Sequence, residues 1–342
     1  MNTHTWNEIT SQHEAMQKTS QWMKNKEFKK ESSDTVYLFT GCGTSFYLAH
    51  SAARYFQRTT GRMAAAVPAS EIFMDRESIF SKGRKYVMIV ISRSGTTSEA
   101  VKALQSIKGG ENIQTLAVTC SPDGKTAELA DDVILLDFIQ EKSVVMTQSF
   151  TCMLYALQLY AAAIAGDEAV KEALAGAPEL AKRQLAGKDI MEPIAEDKRF
   201  QQFIFLGPGI FHGIVKEATL KMKEMTQVAC ESYSSLEFRH GPISIVDEKT
   251  AVILLSSDLS KEYDQALIQD IQNKKGTVIV FGCSGPALKG DISIDFPSGV
   301  TVDEAMTACM PQLQLLAYYK ALSLGLNPDQ PRNLTQVVEL SI

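Results

Sequence analysis

Short apolar runs separated by longer helical patterns set the rhythm of the chain. Residues 36–39 (Val-Tyr-Leu-Phe), 87–91, 115–119 and 133–136 are apolar or β-branched almost throughout. They are too short for helices and lack the alternation of a half-exposed strand, which predicts strands buried on both faces of a parallel sheet. Helical patterns follow them, one running through Phe56 and another over 98–107. Residues 6–25 predict an amphipathic helix that packs outside the first domain. A long apolar helix is predicted through about Ala165, and the Ala-, Gly- and charge-rich stretch 166–195 predicts a linking helix between two halves.

The pattern then repeats. Residues 203–206 (Phe-Ile-Phe-Leu) end in Gly207-Pro208-Gly209, as 36–39 end in Gly41-Cys42-Gly43. Gly41 and Gly207 stand 166 residues apart, Ser92 and Ser256 stand 164 apart, and Thr115 and Thr277 stand 162 apart. Such near-constant offsets predict two similar α/β halves. The expected layout is an N-terminal helical segment over 1–34, a first domain over 35–165, the linker, a second domain over 196–326 and a tail over 327–342. A helix is predicted from Pro311 to about residue 324. The tail, Asp329-Gln330-Pro331-Arg332-Asn333-Leu334 at its centre, reads equally as an ordered cover over a site or as plain surface.

Composition narrows the function. The 342 residues are 45% hydrophobic and 22% charged, with a net charge of −6. That balance disfavours a nucleic-acid binder, which presents a basic surface. No apolar run approaches a membrane span, and the first residues carry no signal-peptide pattern. Six scattered cysteines and five histidines show no metal-ligand spacing and no disulfide framework. A cytoplasmic protein without metal or cofactor is expected.

Two stretches carry chemistry. Ser92-Arg93-Ser94-Gly95-Thr96-Thr97 follows a strand and opens a helix. Four hydroxyls, an arginine and free helix N–H groups make a phosphate pocket; a simple N-cap explains one hydroxyl, not four. No nucleotide motif accompanies it. The second half's counterpart, Ser256-Ser257-Asp258, carries an aspartate that would repel phosphate. The other stretch is 217–242, where Glu217, Lys221, Glu224 and Glu231 recur at helical spacing and Glu237-Phe238-Arg239-His240-Gly241-Pro242 follows. Read alone, this is either a solvated face with a Glu–Lys pair or an acid–base set for a small polar substrate.

Together Cys42-Gly43-Thr44-Ser45, the 92–97 loop, Glu217-Ala218-Thr219-Leu220-Lys221-Met222-Lys223-Glu224, 237–242 and 329–334 resemble the sugar isomerase (SIS) superfamily over nearly the whole chain. The set looks like the isomerase half of glucosamine-6-phosphate synthase and the stand-alone amino-sugar-6-phosphate deaminase/isomerases. The resemblance implies two tandem SIS domains, each a parallel five-stranded sheet sandwiched by helices, in a homodimer with shared active sites. It implies that Ser45, Ser92, Arg93, Ser94 and Thr97, with Thr44 alongside, cradle a sugar 6-phosphate. Glu224 corresponds to the carboxylate that moves a proton between C1 and C2, with Glu217 and Lys221 as its helix partners. His240 corresponds to a ring-opening imidazole that reaches in from the neighbouring subunit. Val144, Met146 and Arg332 fall at the sugar pocket.

Two departures shape the expected reaction. With about 34 residues ahead of the first strand, glutamine is not expected as the ammonia source within this chain. Where the synthase has a tail lysine, this chain has Gln336, and an amide forms no Schiff base. The expected activity is conversion of a phosphorylated hexosamine to a ketose 6-phosphate and ammonia, by proton transfer and hydrolysis of an imine. The alternatives are a plain aldose–ketose isomerase acting on a hexose phosphate, a fructosamine-6-phosphate deglycase, and a sugar-phosphate sensor.

Overall fold

The computed structural model describes residues 3–110 and 112–337; of the expected N-terminal segment and tail, residues 1, 2 and 338–342 lie outside it. Two five-stranded sheets carry the fold. The first holds β1 (Val36–Gly41), β2 (Ala64–Pro68), β3 (Tyr86–Ile91), β4 (Ile113–Thr119) and β5 (Asp132–Leu135), in the order β2-β1-β3-β4-β5. The second holds β6 (Gln202–Leu206), β7 (Ala229–Tyr233), β8 (Thr250–Ser256), β9 (Thr277–Gly282) and β10 (Ile292–Ile294), in the order β7-β6-β8-β9-β10. Every pairing is parallel. Counted within each half, the order is the same, and the predicted duplication is therefore a duplication of topology.

All residues of β1, β3 and β8 are buried, as expected of strands covered by helices on both faces. The sequence pattern did not predict β2, β7 or β10, which are all edge strands. Their composition explains the miss: β2 is three alanines, a valine and a proline, β7 carries Glu231 and Ser232, and β10 has three residues. Their strand character comes from the ladder offered by the neighbouring strand, such as Phe203 opposite Cys230.

One backbone device recurs in both halves. A Cβ on Gly41 would lie 2.7 Å from Ser45 Cβ and 2.8 Å from that residue's carbonyl carbon. On Gly207 it would lie 2.9 Å from Val215 Cγ1 and 3.0 Å from Phe211 Cβ. Two residues on, Gly43 and Gly209 take φ of +54° and +57°, a region that costs L-residues energy. The strand thus ends on a glycine that admits the following helix and turns on a second, left-handed one.

The helices bury one stripe each. Ala100, Ala103, Leu104 and Ile107 of the Ser98–Ile107 helix pack with Met88 and Val90 of β3. Leu267, Ile268 and Ile271 of the Lys261–Asn273 helix cover Val252, Leu254, Val278 and Val280. The helix predicted from Pro311 spans Met310–Ser323, preceded by Val302–Ala308 with a capping box between Thr301 and Glu304.

By compactness the chain gathers into two units that interleave in sequence. One contains residues up to 13, 143–147 and 172–334; the other contains 14–142, 148–171 and the residues from 335 onward. The N-terminal helix predicted over 6–25 is in fact two, His4–Thr10 and Gln12–Lys24. They part at Ser11, whose backbone leaves the helical region (φ −94°, ψ 4°), and there Thr10 Oγ1 donates to Trp6 O at 2.8 Å and Ser11 Oγ to Asn7 O at 2.7 Å. The first helix joins the unit that holds the second sheet, with Trp6 against the rings of Tyr318 and Tyr319.

Leu254 lies at the centre of the β8 core and is fully buried. Leu254→Ala is expected to cost about 3 kcal/mol of unfolding free energy through transfer and cavity terms, read as a lower urea midpoint with an unchanged slope.

Candidate active site

The first candidate region is built by β1 and β3 where they end side by side. Thr44 and Ser45 open the Thr44–Thr60 helix and are both buried. After β3, Ser92 is buried while Arg93, Ser94 and Thr97 are partly open. Part of the hydroxyl set serves the loop itself. Ser92 Oγ accepts from Gly95 N–H at 3.1 Å and lies 3.1 Å from Thr97 Oγ1, and Ser94 Oγ accepts from Thr96 N–H at 3.2 Å. Thr97 is the N-cap of the Ser98–Ile107 helix, yet its side chain makes no capping bond. As at any helix N-terminus, the first-turn N–H groups point toward the preceding loop. Gly95 (φ +66°) lets the loop press against Gly124, whose Cα a Cβ would meet at 2.7 Å.

Cys42 sits beside this loop, half-buried. Burial, and then the charge of Glu99, push its thiol up to about 12. It stays protonated at neutral pH and is no nucleophile.

The second candidate region is the His212–Thr226 helix. Glu217 and Lys221 are completely buried there, one turn apart, with Lys221 Nζ 3.2 Å from Glu217 Oε1. On its other side Lys221 donates to Glu224 Oε2, and Glu224 is the member with an open edge, its side chain 19% exposed. Burial alone would lower the pKa of Lys221, but the two flanking carboxylates outweigh it and the ammonium is held above its ordinary value. The face is not solvated: it is a desolvated carboxylate–ammonium–carboxylate row.

Glu231 does not belong to that row. The helix stops at Thr226, where Gln227 adopts φ +55° and its N–H returns to Lys223 O; Glu231 stands exposed on edge strand β7, bonded to Tyr233. Helical spacing in sequence continued past a turn that the backbone did not continue. His240 follows the short 3₁₀ turn Glu237–Arg239 and is exposed. Among the described residues its ring bonds neither Glu217, Lys221 nor Glu224.

Val144 and Met146 lie on a loop of alternating burial: Ser143, Val145 and Thr147 point inward and Val144 and Met146 stand partly open. Glu8, from the His4–Thr10 helix, fixes the register by accepting from Ser143 N–H at 3.2 Å and from its hydroxyl. The same helix receives Asp329 of the tail. Its carboxylate accepts from Thr5 N–H at 2.8 Å, Thr5 Oγ1 at 2.7 Å and His4 N–H at 2.9 Å, which caps the helix start. Val144 N–H reaches Asp329 O at 3.4 Å. Sequence reasoning missed Glu8, Thr5 and Asp329 as supports, because their partners lie more than a hundred residues away. Arg332 is exposed.

In the second half, the counterpart of the 92–97 loop carries carboxylates. Asp258 is exposed and paired with Lys261, whereas Asp264, which no motif singled out, is fully buried beneath the loop and accepts from Ser260 Oγ at 2.6 Å. Burial raises the pKa of Asp264.

The model of the SIS domain family matches residues 32–163 and 199–287, one stretch in each half. The chain belongs to the SIS domain family. The glutamine–fructose-6-phosphate aminotransferase of Clostridium acetobutylicum is 29% identical over 325 residues, covering 90% of this chain and 52% of that protein. This SIS chain thus spans about half the length of the curated relatives it matches. Among solved structures, the glucosamine-6-phosphate deaminase of Thermotoga maritima is 29% identical with a TM-score of 0.80, covering 99% of this chain and all of that one. The tagatose-6-phosphate ketose/aldose isomerase of Escherichia coli has the same fold at 22% identity, with a TM-score of 0.83 and coverage of 99% and 96%.

Two outcomes follow for this SIS chain. Lys221→Met strands two carboxylates and is expected to cost about 3–5 kcal/mol at neutral pH. Since the folded pKa of Lys221 is raised, its contribution is complete below about pH 10.5 and is lost as pH rises through the folded value. Urea unfolding of both proteins across that range should show the gap narrowing above pH 10.5. Native alkylation with iodoacetamide at pH 8, followed by peptide mass mapping, should find Cys42 with about a thousandth of the thiolate of an ordinary cysteine, from about 12 against 9.0.

Proposed function

We propose that this chain is an amino-sugar-6-phosphate deaminase/isomerase, converting a glucosamine- or galactosamine-type 6-phosphate to a ketose 6-phosphate and ammonia. The observation that carries this reading is Glu224: a carboxylate at the open end of an otherwise buried Glu217–Lys221–Glu224 row. The likeness over the full length of a protein described as a glucosamine-6-phosphate deaminase supports it.

The roles follow from chemistry. Thr44, Ser45, Ser94 and Thr97, with the helix N–H groups behind them, take the phosphate, whose binding energy is remote from the reacting carbons. His240 opens the sugar ring by moving a proton from O1 to O5. Glu224 removes the C2 proton of the open-chain amino aldehyde and delivers it to C1, while O1 gains the proton that the amino group gives up, leaving a C1 alcohol and an imine at C2. Water adds to that imine and ammonia leaves. Lys221, with no exposed surface, acts on Glu224 rather than on the sugar: it keeps the carboxylate oriented, and Glu217 in turn holds Lys221. No step requires a metal or an organic cofactor. A phosphorylated sugar does not cross a membrane unaided, and we assign the enzyme to the cytoplasm; no helix among the described residues is long and apolar enough to span a membrane.

His240, exposed and unattached to the Glu224 row, fits a ring-opening group donated to the partner's site in a homodimer. Plain aldose–ketose isomerisation uses the same acid–base set and is the second reading, favoured by the fold shared with the tagatose-6-phosphate isomerase.

Ammonia release from glucosamine 6-phosphate and galactosamine 6-phosphate decides between them. The expected result is release from one of the two, abolished in Glu224→Gln. Turnover of a hexose 6-phosphate with no ammonia from either amino sugar would establish the isomerase instead. The unphosphorylated amino sugar should lose most of kcat/KM. Mixing the inactive variants Glu224→Gln and His240→Ala after subunit exchange should restore about a quarter of wild-type activity, since half of the dimers then hold one intact shared site; no recovery would place His240 in its own subunit's site.

A further inference from the structure

Arg93 stands in the middle of the 92–97 loop, where a cation is expected to face a phosphate. Its guanidinium is directed elsewhere. Nη1 lies 3.1 Å from Glu141 Oε2, and Nη2 donates to Gln336 O at 3.1 Å. Glu141 is fully buried and Arg93 nearly so, with side chains 0% and 11% exposed. Ser149 completes the carboxylate's shell, its N–H reaching Oε1 at 2.8 Å and its hydroxyl reaching Oε2 at 2.5 Å. Gln336 is gripped a second time, because its side-chain amide donates to Glu141 O at 3.3 Å.

We infer that Arg93 and Glu141 are positioning residues that fasten the C-terminal tail at Gln336 to the phosphate loop, and that Arg93 is not a phosphate ligand. The guanidinium is a planar fork whose strength lies in two-pronged recognition, and here one prong is on a buried carboxylate and another on the tail carbonyl. Turning it to phosphate would strand the charge of Glu141 in the interior. The phosphate is then held by hydroxyls and N–H groups, and the arginine's charge is cancelled locally by Glu141. The side chain at 336 takes part as well: its amide donates to Glu141 O while the main-chain carbonyl of the same residue receives the guanidinium, so this stretch of tail is a fastening rather than a source of a reactive amine. The inference rests on reading 92–97 as the phosphate loop and does not depend on which reaction follows.

The test separates fastening from ligation in the full-length protein. Hydrogen–deuterium exchange of the C-terminal peptide beginning at Thr335 reports the tail, and calorimetric titration with inorganic phosphate reports the pocket. Arg93→Gln and Glu141→Gln are each expected to speed exchange of that peptide at least tenfold, while phosphate affinity stays within threefold of wild type. Arg93→Lys keeps the charge but cannot span both acceptors, and should resemble Arg93→Gln in exchange. Thr97→Val should do the reverse, weakening phosphate more than tenfold with the tail unchanged. If Arg93→Gln loses phosphate tenfold or more while the peptide exchanges as in wild type, Arg93 is a ligand and the inference is overturned. Unchanged exchange in Glu141→Gln and Arg93→Lys overturns it equally. The exchange arm stands whether or not wild type binds phosphate, so failure of the phosphate-loop reading is seen separately.

Discussion

A strand buried on both faces can reach a helix only if the backbone gives way where the two meet. That constraint governs both halves of this protein. Gly41 and Gly207 end the first strand of each sheet at points where any side chain would run into the following helix, and Gly43 and Gly209 then turn the chain with almost the same positive φ. Once the helix starts there, its N-terminus must stand over the strand ends, and the loops after the next strands, β3 and β8, fall beside it. The place where chemistry is set in an open parallel sheet is thus a consequence of how the first strand is allowed to stop.

The two halves use this shared frame differently, and electrostatics explains how. In the first, the loop after β3 is partly open and offers hydroxyls and helix N–H groups. In the second, the loop after β8 covers Asp264, a buried carboxylate bonded to Ser260. Burial raises the pKa of that carboxyl, and the first half has no carboxyl among the hydroxyls of its loop. The topology is duplicated while the loop chemistry is not, and the second half is distinguished by the helix that follows Gly207.

On that helix, burial is managed by alternation of sign. An ammonium with no access to water survives because carboxylates flank it one turn away on either side, and the row ends in Glu224, which has an open edge. The same logic operates around Arg93 and Glu141, where a charge of each sign is withdrawn from solvent and one guanidinium nitrogen donates to the tail. In both places the buried charge is compensated within the protein, and in the Glu217–Lys221–Glu224 row Glu224 keeps an open edge.

How much of this could be read along the chain depends on the range of the interactions involved. The continuous apolar runs determined the central strands, because a strand covered on both faces leaves no polar position to interrupt it. The repeated glycines determined the duplication, because a positive φ and a close approach both demand the same residue. Helical spacing determined that Glu217, Lys221 and Glu224 share a face, although it also drew in Glu231, since spacing alone does not register where Gln227 ends the helix. Only the tertiary structure decided the rest. The edge strands borrow their conformation from a neighbour's ladder. Arg93 is turned by a carboxylate 48 residues away. Asp329 closes a helix start 324 residues away, and Asp264 is buried against Ser260 with no motif to announce it. Local pattern carries the identity of an element and the types of its side chains, whereas the direction in which a charge points is set by partners that only folding brings within hydrogen-bond reach.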